Sequence, residues 1–154
     1  MKGAYVLLIG IWRPITIEVG SLGRVHFKQG IYAYVGSALN NLESRIARHL
    51  SREKSIHWHI DSLTVSRYAT IHHIVVTQTT RRVECKVSRM IASLPFSVPV
   101  PNFGSSDCSC NSHLHMLNTS MNNALAVINA SLSSLQLNTM NVDPTCSALS
   151  AWLR

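Results

Sequence analysis

One segment, residues 31–49, constrains the fold more than any other because it reads as a strand, a glycine and a helix in direct succession. Its first half, Ile31–Val35, is rich in aromatic and β-branched residues, which is typical of a β-strand. Gly36 and Ser37 follow, and we expect the chain to turn there because glycine turns without steric cost. The segment therefore predicts a strand that leads directly into a helix.

The second half of this segment is predicted to be an amphipathic helix. Asn40 or Asn41 is suited to cap its first turn. Arg45 and His49 are four residues apart and therefore lie on one helix face. Together with Tyr34 of the preceding strand they offer a guanidinium, an imidazole and a phenol, which suit the handling of a phosphate. The apolar residues recur at helical spacing: Leu42, Ile46, Ala47 and Leu50.

The remaining patterns predict an α+β fold. Residues 4–12 form a nearly continuous apolar run of strand length, as expected for a strand with both faces covered. Residues 15–19 and 24–28 alternate around a glycine-bounded turn and predict a β-hairpin. Another strand is predicted at 69–77, followed by a helix from about Thr79 to Leu94. We expect a small antiparallel or mixed sheet flanked by helices, with the hairpin inserted.

The positive charge of the chain indicates a polyanionic partner. Lysine and arginine number 14 against 7 acidic residues, which gives a formal net charge of +7. Counterion release from phosphates rewards such an excess, so we expect nucleic acid before membrane; the alternative is a basic protein that is merely soluble. Residues 6–12 are too short an apolar run to span a bilayer. With no secreted disulfide pattern, we expect a cytoplasmic protein.

Two later segments carry histidine and cysteine. In HWHID, a helical face of Ile56, Ile60 and Leu63 leaves His57 and Asp61 as an i, i+4 pair on another face. His57 and His59 suit a metal only if this segment is extended. Trp58 is expected in the core, with base stacking as the alternative.

The other segment is FGSSDCSC and the residues that follow it. Cys108, Cys110 and His113 are spaced so that they can hold a soft metal such as zinc, with Cys85 or His115 as a fourth ligand. Because the pattern lacks a C-x-x-C pair, we do not favour structural zinc, and the thiols can instead pack or oxidise. The residues 113–117 alternate like an edge strand.

Taken together, these motifs resemble the GIY-YIG nuclease superfamily. The second half of its signature is similar to Tyr34-Val35-Gly36-Ser37, followed by the R-x-x-x-H of Arg45 and His49, and the first half to Gly3-Ala4-Tyr5. A literal Gly30-Ile31-Tyr32 lies on the same strand as Tyr34, whereas the superfamily uses two neighbouring antiparallel strands, so we assign Tyr5. The segments HWHID and FGSSDCSC resemble those of a compact branch of small, mostly uncharacterised prokaryotic proteins. The resemblance covers residues 1–117.

The resemblance implies a metal-dependent endonuclease that hydrolyses DNA in repair or recombination. One divalent ion, Mg²⁺ or Mn²⁺, would be held by Glu84. The resemblance implies four catalytic residues, with the general base open between the two phenols and the imidazole: Tyr5, Tyr34, Arg45 and His49. Phosphate contacts are expected from Lys28, Arg48, Arg52 and Lys54. The border of the site is expected to include His57, Asp61, Ser105, Ser106, Asp107, Cys108 and Cys110.

Two alternative functions, from classes of protein other than nucleases, remain open. One is a nucleic-acid-binding module that keeps the fold and the basic face without chemistry, and the other is a zinc-stabilised interaction domain. The residues also leave open RNA in place of DNA, and a repair protein that delivers the substrate.

The chain changes character from residue 118 onward. Asp143 and Arg154 are the only charged residues in this part, which is rich in Ser, Asn and Leu. Residues 121–137 contain enough apolar residues for one weak helix. We therefore expect a nuclease-like domain over 1–117 and an extension over 118–154 that forms this helix, docks a partner or is poorly ordered.

Overall fold

A six-stranded antiparallel sheet organises the chain, and the computed structural model describes residues 1–145. The sheet consists of β1 Gly3–Ile11, β4 Gly30–Ala38, β5 Ala69–Gln78, β6 Ser97–Pro99, β7 Leu114–Leu117 and β8 Met140–Val142. Its strand order is β6-β7-β4-β1-β5-β8. A separate hairpin pairs β2 Ile15–Glu18 with β3 Arg24–Phe27. The helices are α1 Leu42–Leu50, α2 His59–Thr64, α3 Glu84–Ala92 and α4 Met121–Ser134.

This architecture confirms the α+β class, and the described strands include the predicted hairpin. Strand β1 lies between β4 and β5, so its backbone is paired on both sides and its side chains are buried on both faces. Tyr5 and Leu7 point to the core that α1 and α2 cover, whereas Val6 and Leu8 point to the core that α3 and α4 cover. The continuous apolar run of the first strand therefore follows from its central position.

The expected turn at Gly36 and Ser37 is wrong, because β4 continues through both residues to Ala38. Gly36 lies directly opposite Tyr5 in the register, and a Cβ atom at residue 36 would overlap the Tyr5 phenol. The glycine therefore permits a close approach between strands instead of a turn. The chain turns only after Ala38, and the Asn41 side chain accepts the Ser44 N–H to cap α1.

Two other element boundaries and the position of one strand differ from the sequence-based expectation. Helix α2 begins at His59, because the Asp61 carboxylate accepts the backbone N–H groups of His57 and Trp58 and holds the preceding segment outside the helix. Helix α3 begins at Glu84 instead of Thr79, since β5 runs on to Gln78. Strand β7 is not an edge strand, because β6 pairs with its outer side.

Part of the predicted extension belongs to the same core as the rest of the chain. The expected helix is present as α4, and it buries Ala124, Ile128 and Leu132 against the face of the sheet that carries Val6 and Leu8. Strand β8 pairs with β5. Among the helices of residues 1–145, none has the length and apolar character needed to cross a membrane.

The close approach at Gly36 makes a prediction about stability. Gly36→Ala is expected to lower the free energy of unfolding by about 1–3 kcal/mol, because the new methyl group must displace the buried Tyr5 ring. Urea unfolding measures the change. Combining it with Tyr5→Leu, which removes the opposing ring, should cost clearly less than the sum of the two single changes. Additive losses would show that the phenol does not oppose a side chain at residue 36.

Candidate active-site cleft

A cleft of about 260 Å³ collects the residues expected to carry chemistry. The five side chains named as catalytic or metal-binding lie in four different elements, and all of them line it: Tyr5, Tyr34, Arg45, His49 and Glu84. The antiparallel pairing of β1 with β4 brings the two tyrosines together, and α1, which follows β4, brings the arginine and the histidine. These five side chains thus come from segments that are up to 79 residues apart in sequence, Tyr5 to Glu84.

A buried hydrogen bond joins Tyr5 to His49 at the base of this arrangement. The phenol oxygen lies 2.5 Å from His49 Nε2. Burial, followed by the nearby Tyr34, raises the pKa of Tyr5 well above its ordinary value, although Arg45 opposes this. Burial, followed by the Lys54 charge, lowers the pKa of His49 to about 3. Near neutral pH the bond therefore joins a protonated phenol to a neutral imidazole.

Tyr34 lies beside this pair and is also protonated near neutral pH. Its ring packs edge-on against His49, with ring centroids 6.0 Å apart, and against Phe103. Burial raises the pKa of Tyr34, and the Glu84 carboxylate raises it further. Both phenols therefore keep their protons near neutral pH.

Arg45 is held in the cleft by two contacts. One of its terminal nitrogens, Nη1, donates to the backbone carbonyl of Ser37 at 3.0 Å, and its guanidinium carbon lies 4.5 Å from the centre of the Trp58 ring. Trp58 was expected in the core, but it is 40% exposed, lines the cleft, and also contacts the Arg48 guanidinium. A cation over an aromatic face is favourable and restricts the orientation of both groups.

The Glu84 carboxylate contacts both the cleft and the interior. Its Oε2 atom accepts the Ser37 hydroxyl at 2.9 Å, and its Oε1 atom lies 3.3 Å from His113 Nδ1. The side chain is 32% exposed, so the remaining lone pairs are accessible. Ser37 thus contacts Arg45 through its carbonyl and Glu84 through its hydroxyl.

Three of the four expected phosphate contacts have partners inside the protein. Arg48 forms an ion pair of 2.7 Å with the fully buried Asp61. Lys54 donates to two carbonyls at the end of α1, and its side chain is 5% exposed. Arg52 donates to the carbonyls of Ser66 and Ala69. These bonds satisfy the backbone and a buried carboxylate, so the role of these cations in phosphate binding stays a prediction.

The fourth expected contact, Lys28, is exposed and lies outside the set of residues that line the cleft. Asp61 is buried and also lies outside that set. Its carboxylate instead anchors the HWHID segment. Neither residue borders the cleft.

The HWHID segment and the FGSSDCSC loop form one side of the cleft together. His59 Nδ1 accepts the backbone N–H of Gly104 at 2.9 Å, which joins the two segments. His57, Ser106 and Asp107 line the cleft as expected, whereas Ser105 is buried behind it. Gly104 has φ +69°, a conformation that favours glycine.

Besides Gly36 and Gly104, three residues that line the cleft were not expected in the site: Ser37, Trp58 and His59. Ser37 stands in the motif that carries Tyr34, so its position next to that residue is a usable signal. The other two stand in HWHID, where the helical pattern suggested a packed segment. Their exposure depends on the late start of α2, which a hydrophobic pattern does not reveal.

A second group of side chains lies next to the cleft. The ligand atoms of Cys85, Cys108, Cys110 and His113 all lie within 4.8 Å of one another, and this group can hold a metal ion. Cys85 completes the group, whereas His115 bonds to Ser88 instead. Cys108 and Cys110 were expected at the border of the site, and they belong to this group behind Glu84.

The buried imidazole makes a prediction about the pH dependence of stability. The unfolded chain binds a proton at residue 49 below about pH 6.5, whereas the folded protein resists it until about pH 3. Acidification between these values therefore lowers the free energy of unfolding, by up to about 1.4 kcal/mol per pH unit from this one group. His49→Gln should show a slope that is smaller by roughly this amount in urea unfolding between pH 6 and pH 4.

Ile46→Val is the matched control, since it removes one methyl group from the same helix and no titrating group. It should lower the free energy of unfolding equally at each pH and leave the slope unchanged. Equal slopes for His49→Gln and the wild type would contradict a buried, neutral imidazole.

Comparison with known proteins identifies one family. The model of a family described as "Domain of unknown function DUF123" matches residues 4–136. No curated protein and no solved structure gives a significant match. The matched region covers well over half of the chain, and it contains both the cleft and the cysteine group. The chain therefore belongs to the DUF123 family.

Proposed function

We propose that this DUF123 protein is an endonuclease that hydrolyses phosphodiester bonds in DNA with one divalent metal ion. The observation that supports this most is the convergence of Tyr5, Tyr34, Arg45, His49 and Glu84 on one cleft. These are the positions at which the sequence resembles the GIY-YIG nucleases, and that resemblance depends on the order of residues alone. The register between β1 and β4 and the positions of α1 and α3 together bring these five side chains into one cleft.

Arg45 is the proposed electrostatic clamp. Hydrolysis of a phosphodiester places additional negative charge on the non-bridging oxygens in the transition state, and a fixed guanidinium stabilises that charge more than it stabilises the substrate. The contacts with the Ser37 carbonyl and the Trp58 ring hold Arg45 before substrate binds. This preorganisation means that little reorganisation is needed during the reaction.

Tyr5 is the proposed contact for the attacking water, and His49 is a positioning residue. We assign the Tyr5 hydroxyl as the donor to His49 Nε2, which leaves the oxygen lone pairs available to accept a hydrogen bond from water. With its pKa lowered to about 3, His49 is a poor general base by itself. The hydrogen bond instead fixes the direction of the phenol. Tyr5 is also protonated near neutral pH, so this geometry does not select the general base among Tyr5, Tyr34 and His49.

Glu84 is the proposed ligand of the divalent ion. Each of its oxygens has one neighbouring donor and retains a lone pair, and the carboxylate is accessible from the cleft. Mg²⁺ and Mn²⁺ suit this position, since such ions commonly bind through one or two carboxylates, with waters and substrate phosphates completing the shell. When bound, the ion would supply Lewis-acid stabilisation of the phosphate.

A nucleic-acid substrate is supported by charge and by an exposed aromatic side chain. The chain has a formal net charge of +7, and Trp58 lies exposed at the cleft with guanidinium groups over its ring. Exposed aromatic rings stack on bases, and basic surfaces bind phosphates. We propose DNA as the substrate in preference to RNA. We further propose that the protein acts in the cytoplasm in DNA repair or recombination, together with a repair protein.

Cleavage assays test the proposal. Labelled single-stranded, duplex, nicked and branched DNA would be incubated with the full chain in Mg²⁺, Mn²⁺ or EDTA. We expect cleavage that needs the metal and that falls by about 10²–10³-fold in Arg45→Ala, because one transition-state contact is lost. Glu84→Gln, which keeps the shape of the side chain, should lose the metal-dependent activity as well.

Arg24→Ala is the charge-matched control, since Arg24 is exposed on the hairpin and lies outside the set of residues that line the cleft. Its activity should equal that of the wild type, and thermal unfolding would show that every variant is folded. Salt-sensitive DNA binding without cleavage of any substrate would contradict the nuclease and favour a binding module of the same fold.

A further inference from the structure

The cysteine group beside the cleft has the geometry of a ligated metal centre. Cys85 lies in the first turn of α3, Cys108 and Cys110 lie in the loop between β6 and β7, and His113 directly precedes β7. His113 Nε2 is 3.5 Å from the Cys108 sulfur and 3.8 Å from the Cys85 sulfur. Tetrahedral zinc, with bonds of about 2.3 Å to sulfur and about 2.0 Å to nitrogen, separates such atoms by about 3.6 Å.

The chemistry of these ligands selects the metal. Three thiolates and one imidazole form a soft, four-ligand set, which is the composition of structural zinc sites. Mg²⁺ and Mn²⁺ prefer oxygen ligands, so the divalent ion proposed at Glu84 does not suit this group. The expectation against zinc was based on the short C-x-C spacing. Cys85, contributed by α3, provides the third thiol that the local spacing lacks.

A metal at this position would order the loop that borders the cleft. Residues 100–113 lie between two strands and contain no helix or strand of their own, yet they supply Gly104, Ser106 and Asp107 to the cleft. The four ligands join this loop to α3, whose first residue is Glu84. Metal binding would therefore hold the loop and the helix end together.

The histidine of the group also contacts Glu84. His113 is 2% exposed, and its Nδ1 atom lies 3.3 Å from Glu84 Oε1. Within residues 1–145, Nδ1 of His113 forms no hydrogen bond with standard geometry. The Glu84 carboxylate is therefore the acceptor within reach of this nitrogen. If a metal binds Nε2, the ring proton lies on Nδ1, where it can donate to the Glu84 carboxylate. Metal-bound histidines commonly donate their second ring N–H to a carboxylate in this way.

We propose that Cys85, Cys108, Cys110 and His113 bind one structural zinc ion, and that zinc-bound His113 positions the Glu84 carboxylate for the cleft. The first part is independent of any nuclease activity. The second part rests on the proposed function, because it gives Glu84 a divalent ion to bind. His113 is thus a positioning residue that connects two metal centres of different chemistry.

Metal analysis of the full chain, purified without a histidine tag, tests the zinc site. We expect one zinc per chain by inductively coupled plasma mass spectrometry, and replacement by Co²⁺ should give the absorption bands of tetrahedral thiolate coordination. Cys108→Ser and Cys110→Ser should each lose zinc. Cys146→Ser removes a thiol outside the described residues and the proposed ligand set, so it should retain one zinc.

Three results would overturn this part of the proposal. They are iron in place of zinc, a disulfide among the three cysteines with no bound metal, and loss of zinc in Cys146→Ser with retention in Cys108→Ser. If a cysteine variant does not fold, the wild-type metal content and the Co²⁺ spectrum still decide the question.

The positioning role is tested by His113→Cys, which keeps a four-ligand soft site but removes the Nδ1 donor. It should retain one zinc while the affinity of the cleft for Mn²⁺, measured by electron paramagnetic resonance, falls about 10–100-fold. Glu84→Gln should retain zinc and lose the Mn²⁺. Unchanged Mn²⁺ affinity in His113→Cys, or no Mn²⁺ binding by the wild type, would overturn the positioning role and leave the zinc result standing.

Discussion

The antiparallel pairing of β1 with β4 is the interaction on which the candidate site depends. The register places Tyr5 opposite Gly36, and the missing side chain of the glycine lets the phenol cross the neighbouring strand. On the far side the hydroxyl meets His49 of the helix that follows that strand. A shift of one residue would turn Tyr5 to the opposite face of the sheet, towards α3 and α4. The pairing therefore sets both the core and the position of the phenol.

Several cations near the cleft have partners inside the protein. Asp61 is fully buried, and its carboxylate is compensated by Arg48 and by two backbone N–H groups. Lys54 donates to a backbone carbonyl at the end of α1, and its charge contributes to the low pKa of His49. Arg48 and Lys54 thus stabilise the fold around the cleft. Arg45 differs from these cations because it lines the cleft.

Local patterns were sufficient to predict several features of the fold. The apolar run of β1, the hairpin and the helix with Arg45 and His49 on one face follow from residues that are close in sequence. The resemblance to GIY-YIG nucleases further grouped Tyr5 with Tyr34, and the pairing of their strands agrees with that grouping.

Other features depend on contacts that no local pattern contains. The sequence around Gly36 predicts a turn, and only the pairing with Tyr5 shows that the glycine belongs to a strand. The sequence around Trp58 predicts a core residue, and only the start of α2 at His59 shows that Trp58 precedes the helix. Cys85 is 23 residues from Cys108, so its place in the cysteine group is decided by the packing of α3 against the loop before β7. The contact between His113 and Glu84 has the same origin.

Anomalous diffraction from crystals of the full chain grown with Mn²⁺ would test the central claim most directly, namely that Glu84 lies between two metal centres of different chemistry. Data collected at the zinc and manganese absorption edges distinguish the two ions. The account predicts a zinc peak among Cys85, Cys108, Cys110 and His113, and a separate manganese peak at the Glu84 carboxylate on the side of the cleft. A manganese peak elsewhere with none at Glu84, or a cysteine group without zinc, would contradict it.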